Sequence, residues 1–430
     1  MGKGGEQSVS NNVGNQSSGK LKLDHMPTEE LRKWAKAYNV NSDKDRQYML
    51  QELNPFADGI MNKRRPANPP LAPPTFTLKT IKDAIPEHCF KRSLAKSVGF
   101  LLTDFVKIAI FGYLATFISN PVAINLPAWS PYVLWPIYWV IQGTVMTGVW
   151  VLAHECGHQS FSESELANNI FGTVLHSLLL VPYHPWRITH GRHHNNTGSC
   201  ENDEVFAPST RMDWANEMLR ETPIANLFGI VLMLTVGWIP GYLVFNATGP
   251  AKYRGKNANH FSPTAVFFQK DEYWLVIQSN VAFFAALALV AFACYTFGAM
   301  NVLCYYGIPY LVVNHNLVLI TYLQHTDVFM PHFRGKEWNW LRGAICTVDR
   351  PYGFFFDRLT HHITDTHVCH HVFSKMPFYH AAEATVHIKR VLGPYYMKDD
   401  TNVMLALWRA YSCCLFVEDE GGIVFYKNIK

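Results

Sequence analysis

Three short histidine clusters carry the clearest chemical signal in this sequence. They hold eight of the 20 histidines and read His154-Glu155-Cys156-Gly157-His158, His190-Gly191-Arg192-His193-His194 and His367-Val368-Cys369-His370-His371. Residues three and four positions apart share one face of a helix, so each cluster can present two or three imidazoles to one point. Eight imidazoles exceed what one first-row metal ion binds but suit two ions with positions left for oxygen. The pattern predicts a polynuclear metal site.

The first cluster also fits His-Glu-x-x-His, in which two histidines bind zinc and the glutamate is the general base of a metalloprotease. A zinc protease embedded in a membrane is therefore one alternative, because imidazole binds zinc, copper, iron and nickel alike. It would use only three protein ligands, which leaves the six histidines of the clusters at 190–194 and 367–371 without a role. A metal transporter is a second alternative, but it would place histidines within the apolar stretches rather than at their ends.

The composition indicates a membrane protein. Hydrophobic residues make up 49% of the 430 residues and charged residues only 16%, where about a quarter is usual in soluble proteins. The net charge of +4 is too small and too dispersed to indicate nucleic-acid binding. The nine cysteines form no Cys-x-x-Cys pair, which argues against a disulfide framework and favours a reducing compartment for the catalytic side.

Six apolar stretches set the membrane topology. They lie at residues 98–119, 131–153, 166–182, 224–245, 274–297 and 300–323, and all but 166–182 approach the roughly 20 residues that a spanning helix needs. If the three clusters bind one metal centre, they lie on one side of the membrane. The stretch 166–182 then cannot cross, and one of the three stretches between the second and third clusters must also fail to cross.

The stretch 224–245 is the expected exception, because Gly237, Pro240 and Gly241 interrupt it, whereas 274–297 and 300–323 read as a hairpin that turns at Gly298. The sequence thus predicts an all-α integral membrane fold with four transmembrane helices in two hairpins, interfacial helices and a histidine-rich cap. The loop 120–130 has no Lys or Arg, so the positive-inside rule places the cap in the cytosol. The basic residues on the cluster side are Arg187, Arg192, Arg211, Lys252, Arg254 and Lys256.

Three regions follow from this pattern. Residues 1–75 are expected to be a cytosolic N-terminal region with a disordered start, a short helix that begins near Thr28 and a proline-rich linker. Residues 76–397 form the membrane domain, and residues 398–430 a cytosolic C-terminal tail.

The clusters and the stretches around them resemble the membrane fatty acid desaturases, and most closely the endoplasmic-reticulum Δ12 (oleate) desaturases. The resemblance extends over about residues 76–397. Besides the clusters, it rests on Val181-Pro182-Tyr183, Thr197-Gly198-Ser199, Asp203-Glu204-Val205-Phe206, Thr321-Tyr322-Leu323-Gln324-His325-Thr326, Trp340-Leu341-Arg342-Gly343-Ala344, Thr347-Val348-Asp349-Arg350 and Ile363-Thr364-Asp365-Thr366-His367.

The resemblance implies a centre of two iron ions and assigns its ligands. The catalytic ligands would be His154, His158, His190, His193, His194, His367, His370 and His371, and His325 matches a ninth ligand. The alternative for His325 is a histidine that the dipole favours at a helix C-terminus. Carboxylates expected beside the ligands are Glu155, Asp203, Asp349 and Asp365, and His176 and His361 also match the family.

The implied reaction uses O2 and two electrons to convert an oleoyl chain, on phosphatidylcholine or a related lipid, to a linoleoyl chain. The sequence contains no His-Pro-Gly-Gly haem motif and no iron–sulfur pattern, so the implied electron donor is cytochrome b5. The implied location is the endoplasmic-reticulum membrane, where the chain could form a homodimer or a heterodimer. An ω-3 (Δ15) desaturase, a hydroxylase and a conjugase share the same clusters and remain alternatives.

Overall fold

A computed structural model describes residues 27–37, 43–50, 68–119, 125–214 and 222–428. These residues belong to two compact units, one within residues 1–65 and the other within residues 66–429. In the first unit, helix α1 spans Thr28–Ala37, where the sequence predicts a helix. Its Leu31 and Ala35 are buried. The predicted disordered start at residues 1–25 lies outside the described residues.

The second unit is helical, as predicted, with one small sheet. Its helices are α2 (Leu78–Asp83), α3 (Leu94–Thr116), α4 (Pro131–Gly157), α5 (Glu165–Leu178), α6 (Tyr183–Asn196), α7 (Arg211–Trp214), α8 (Pro223–Val236), α9 (Tyr273–Phe297), α10 (Ala299–Val302), α11 (Ile308–His325), α12 (Trp340–Ala344), α13 (Phe354–Leu359), α14 (His367–Val372), α15 (Phe378–Leu392) and α16 (Val403–Cys413). Strands β1 (Pro331–Phe333) and β2 (Ile423–Phe425) pair antiparallel, with His332 opposite Val424. This two-stranded sheet is the one departure from the all-α prediction among the described residues.

Helix α4 forms the centre of the membrane region. In its most apolar 18-residue window 72% of the residues are buried, against 17% for α3 and for the Lys270–Phe297 segment that contains α9. A Cβ added to Gly143 would lie 2.4 Å from Val312 Cβ on α11, so only glycine permits this close contact between α4 and α11. The outer helices α3 and α9 expose apolar side chains such as Leu102, Tyr113, Phe284 and Phe292, as lipid contact requires.

Two polar side chains within α3 are satisfied inside the protein. Asp104 is completely buried, and its Oδ2 lies 2.6 Å from His361 Nε2. Lys107 Nζ donates to Asp104 Oδ1 over 2.9 Å. The spacing of three residues places Asp104 and Lys107 on one face of α3, whereas the contact with His361 joins distant parts of the chain.

By length and composition, five helices of the described chain could cross a membrane: Leu94–Thr116, Pro131–Gly157, Pro223–Val244, Lys270–Phe297 and Ala299–His325. The last two are joined at Gly298, whose φ of +84° favours glycine, so the helix breaks at the position where the sequence predicts a turn. The predicted interruption after Gly237 takes the form of π-helical turns at Gly237–Val244. Because Pro240 has no N–H to donate, the α-helical hydrogen-bond pattern changes there without ending the helix.

The C-terminal residues pack against the membrane unit through a buried group of charges. Arg350 and Arg409 each form ion pairs with both Asp327 and Asp399, and all four side chains are at most 5% exposed. Opposite charges at this burial require partners on every side. The network therefore joins α16 to the loops that follow α11 and α12.

Candidate metal centre

Four elements bring the predicted histidines to one place. His154 lies in the last turn of α4 and His158 directly follows that helix, while α6 carries the second cluster and α14 the third. His325 is the last residue of α11. All nine predicted ligand side chains are buried or nearly so, and each contacts at least one other of the nine.

Five of the nine imidazoles form the first group. In this group, one ring nitrogen from each residue lies within 4.8 Å of the others, and the members are His154, His158, His190, His194 and His370. The Nε2 atoms of His154 and His190 are 3.0 Å apart, and those of His190 and His194 are 3.2 Å apart. His158 Nε2 lies 3.2 Å from His154 Nε2.

The remaining four imidazoles form a second group centred on His325. Ring nitrogens of His193, His325 and His371 lie within 4.8 Å of one another. The Nε2 atoms of His193 and His367 lie 3.3 Å and 3.1 Å from His325 Nε2. His194 stacks on His371 with ring centroids 4.0 Å apart, so the two groups adjoin.

The converging ring nitrogens are better suited to binding metal ions than to hydrogen-bonding with one another. A neutral imidazole has one N–H, so Nε2 atoms that face each other at hydrogen-bond distance cannot all be satisfied by hydrogen bonds. His370 Nε2 and His371 Nε2 are buried with no hydrogen-bond partner among the described residues. Burial, followed by the nearby His193, lowers the pKa of His158 to about 3. Burial also lowers the pKa of His190 and His194. The rings are thus neutral at pH 7, as metal binding requires.

Two of the four expected carboxylates contact the histidines. Asp203 Oδ1 accepts a hydrogen bond from His193 Nδ1 over 2.8 Å. Burial alone would raise the pKa of Asp203. The nearby His193 and the backbone N–H groups that donate to its carboxylate lower that pKa by more, so it lies below its ordinary value. Glu155 Oε1 lies 3.4 Å from His154 Nδ1 and 3.9 Å from His370 Nδ1. Asp203 can therefore hold the ring orientation of His193, and Glu155 lies beside two further rings.

The other two expected carboxylates, Asp365 and Asp349, do not contact the clustered imidazoles directly. Asp365 contacts His362 Nδ1 at 3.1 Å, and no contact with a clustered histidine is described. Asp349 Oδ1 accepts the N–H of Val368 over 2.8 Å, and its other oxygen accepts from the Tyr396 hydroxyl. Burial raises the pKa of Asp349 to about 7. Asp349 therefore anchors the first turn of α14 rather than an imidazole.

Comparison with known proteins decides the family. The family model described as fatty acid desaturase matches residues 131–402, more than half of the chain. The chain belongs to the fatty acid desaturase family. It is similar to the Δ(12) fatty acid desaturase of Mortierella isabellina, with 44% identity over 83% of this chain and 91% of the relative. It is also similar to the Δ(12)-acyl-lipid-desaturase of Punica granatum, with 47% identity over 84% and 92%.

A third relative, the endoplasmic-reticulum isozyme 1 of the ω-6 fatty acid desaturase of Glycine max, is 44% identical over 86% of this chain and 95% of its own length. The predicted resemblance is confirmed, and the desaturase is an oxidoreductase. The zinc protease and the metal transporter are therefore rejected as alternatives.

A cavity of about 700 Å³ reaches the histidines of the desaturase. Its inner wall includes His154, His190, His193, His325 and His367. Apolar residues of α8 and α11 continue the wall away from the centre, among them Leu232, Met233, Val236, Leu317 and Val318. The lining also includes the polar side chains Asp213, Asn246, Arg254 and Lys256, of which Arg254 and Lys256 are exposed. This shape suits a long apolar chain with a polar end.

Aromatic residues around the centre are the part that sequence reasoning missed. Trp186 stacks on His190 with ring centroids 4.6 Å apart, Phe206 stacks on His325 at 5.1 Å, and Trp150 stacks on His154 at 5.6 Å. Trp150 and Trp186 each precede the contacted histidine by four residues, so helical spacing alone could have indicated them. Phe206 carries no such local signal.

Proposed function

We propose that this desaturase introduces a cis double bond at the Δ12 position of an oleoyl lipid and so forms linoleate. The observation that carries the proposal is the similarity to several relatives named Δ12 or ω-6 desaturases, with 44 to 47% identity over more than nine-tenths of their lengths. The cavity supports it, because its lining combines clustered histidines, apolar residues of α8 and α11, and exposed basic residues.

The proposed metal ligands are the nine histidines, divided between two iron ions. The group of five would hold one ion, and the group of His193, His325, His367 and His371 the other. Bound iron supplies the oxidising power that side-chain acids and bases lack toward an unactivated methylene. Over the whole reaction, O2, two electrons and two protons remove two hydrogens from the chain and leave two waters.

The protein's own groups position the reaction. By accepting the Nδ1–H of His193, Asp203 selects the tautomer that leaves Nε2 free to bind iron. Glu155 Oε1 lies beside the other two rings, 3.4 Å from His154 Nδ1 and 3.9 Å from His370 Nδ1, and Glu155 Oε2 accepts a hydrogen bond from the Ser160 hydroxyl over 2.7 Å. The rings of Trp150 and Trp186 stack on His154 and His190 and restrict the orientation of these two imidazoles.

The proposed topology keeps four spans and leaves α8 at the membrane surface. Ile230 and Leu234 of α8 pack with Leu319 and Leu323, which lie in the last turns of α11 before His325. Beyond α8, the Tyr242 hydroxyl lies 2.8 Å from Thr189 Oγ1, one residue before His190. Both α8 and the turns after it thus contact residues close to the metal centre. This supports a position of the segment in the membrane interface rather than across the membrane.

The proposed orientation places the metal centre on the cytosolic face of the endoplasmic reticulum. Lys252, Arg254 and Lys256 are exposed on the cluster side, and basic residues favour the cytosolic side of a membrane. The proposed electron donor is cytochrome b5, an acidic protein whose docking would suit this basic surface.

The decisive test is expression in a yeast that lacks polyunsaturated lipids, followed by gas chromatography of its fatty acids. Linoleate formed from endogenous oleate supports the Δ12 proposal. Formation of α-linolenate only when linoleate is fed, or a hydroxylated product, would show that the regiochemistry or reaction is wrong.

The ligand assignment has its own matched pair of variants. His370→Ala is expected to abolish linoleate formation, whereas His387→Ala on α15, which belongs to neither group of nitrogens, should leave it unchanged. Full activity in His370→Ala would contradict the assignment.

A further inference from the structure

A third group of metal-binding side chains lies outside the nine histidines. It consists of His88, Cys89, His380 and Glu383, and one ligand atom from each lies within 4.8 Å of the others. His88 and Cys89 belong to the 3₁₀ turn Glu87–Phe90, and the other two belong to α15. The group brings together two nitrogens, one sulfur and one oxygen, a different donor set from the all-imidazole centre.

The contacts of the four side chains converge on one point. His88 Nε2 lies 3.0 Å from Glu383 Oε2 and 3.6 Å from Cys89 Sγ. His380 Nδ1 lies 3.8 Å from Glu383 Oε2. The ring centroids of His88 and His380 are 5.4 Å apart. On α15, the spacing of three residues places His380 and Glu383 on the same face.

We infer that His88, Cys89, His380 and Glu383 bind one Zn²⁺ ion. Four ligands of nitrogen, sulfur and oxygen type match the tetrahedral coordination of structural zinc sites. The two imidazoles bind as neutral rings. The Cys89 thiol releases its proton to solvent on binding, and the resulting thiolate and the Glu383 carboxylate together balance the charge of the ion.

The burial of the four side chains also suits a metal site. Cys89 is fully buried, whereas the His88 and Glu383 side chains are 52% and 46% exposed. A simple surface ion pair would need only His88 and Glu383, yet the sulfur and the His380 ring face the same point. The exposed side leaves a path by which an ion can enter.

Zinc at this place would stabilise the backbone behind the third histidine cluster. The 3₁₀ turn directly precedes α3, and α15 directly follows α14. Cys89 shares an apolar cluster with Val368 and Cys369 of α14. An ion bound here would therefore link the start of the first membrane helix to the helices that carry and support His370.

The test uses the purified, iron-loaded, full-length protein under reducing conditions, with Co²⁺ as the probe. A thiolate ligand gives Co²⁺ a near-ultraviolet charge-transfer band that imidazoles do not give, so the nine-histidine centre is silent in this band. The wild type should develop the band with one equivalent of Co²⁺ and lose it when Zn²⁺ is added. Cys89→Ser should lack the band, and Cys294→Ser, which changes a cysteine on α9, should retain it.

A second measurement does not depend on the cysteine. Glu383→Gln changes a half-exposed side chain, and it should weaken Zn²⁺ binding at least ~10- to 100-fold. Added Zn²⁺ should raise the thermal unfolding midpoint of the wild type but not of Glu383→Gln at the same concentration. The inference is overturned if the wild type gives no band, if Cys89→Ser gives the same band, or if Zn²⁺ stabilises Glu383→Gln equally. None of these results depends on the regiochemistry of the desaturase.

Discussion

Asp203→Asn tests how the protein prepares its histidines for metal. The Asp203 carboxylate is 1% exposed. Its Oδ1 accepts from His193 Nδ1 at 2.8 Å and from the N–H groups of Val205 and Phe206 at 3.0 and 3.1 Å. Its Oδ2 accepts the N–H of Gly198 at 3.2 Å. The substitution removes the charge and turns one oxygen into a donor, with almost no change in volume.

The free energy that the substitution costs follows from these four hydrogen bonds of Asp203. If the amide oxygen keeps the place of Oδ1, the new NH2 group faces the Gly198 N–H, and a buried donor without an acceptor costs about 1–3 kcal/mol. The bond to His193 also weakens from charge-assisted to neutral, a loss of roughly 1 kcal/mol. Loss of a partner that orients a metal ligand commonly lowers metal affinity or activity by ~10- to 100-fold. We expect linoleate formation and the iron bound per folded protein each to decrease by ~10- to 100-fold.

The assay compares iron per folded protein with linoleate formed in yeast. Asp271→Asn, at an exposed carboxylate, is the matched control and should behave as the wild type. A purely structural role for Asp203 would lower the yield of folded protein while the surviving molecules kept their iron. Asp203→Asn with wild-type iron content and wild-type linoleate would refute the reasoning.

Three further predictions address packing, buried charge and pH. Gly172→Ala should lower the free energy of unfolding by ~1–3 kcal/mol, because its Cβ would lie 2.2 Å from the Tyr183 ring, whereas Gly99→Ala, with open space, should not lower the thermal midpoint. Arg409→Met leaves Asp327 and Asp399 with one buried cation fewer, and should cost ~3–5 kcal/mol, seen as a loss of folded protein in membranes. In iron-free protein, burial and then His193 lower the pKa of both His158 and His367 to about 3 from 6.5. As the pH falls below 6.5, only the unfolded chain takes up protons at these two histidines. The free energy of unfolding should therefore drop by up to ~2.7 kcal/mol per pH unit for the two groups together. A thermal midpoint that does not fall on acidification from about pH 7 to about pH 5 would contradict this.

Local patterns predicted the elements that carry the chemistry. The histidines spaced four residues apart at 154–158 and 190–194 lie on helices or at helix ends, as predicted. The helix break at Gly298 also follows from its immediate neighbours. Helical periodicity and hydropathy act over a few residues, so they can be read without knowledge of the fold.

Contacts between distant residues escaped the sequence. Asp365 stands two residues before His367, yet it contacts His362, whereas Asp203 reaches His193 through a loop that folds back. Asp104 meets His361 across 257 positions of the chain. Nothing in local spacing specifies where such loops and helices meet.

The sequence by itself predicted a metal site of clustered imidazoles beside a membrane, because residue type, helical spacing and apolar length are local properties. Only the tertiary structure decided how the nine histidines divide into five and four, which carboxylates orient them and where the cavity runs. The same is true of the cluster formed by His88, Cys89, His380 and Glu383, whose halves lie almost 300 residues apart. These features depend on how α4, α6, α11, α14, α15 and the turn Glu87–Phe90 pack together, and packing is settled by the whole folded chain.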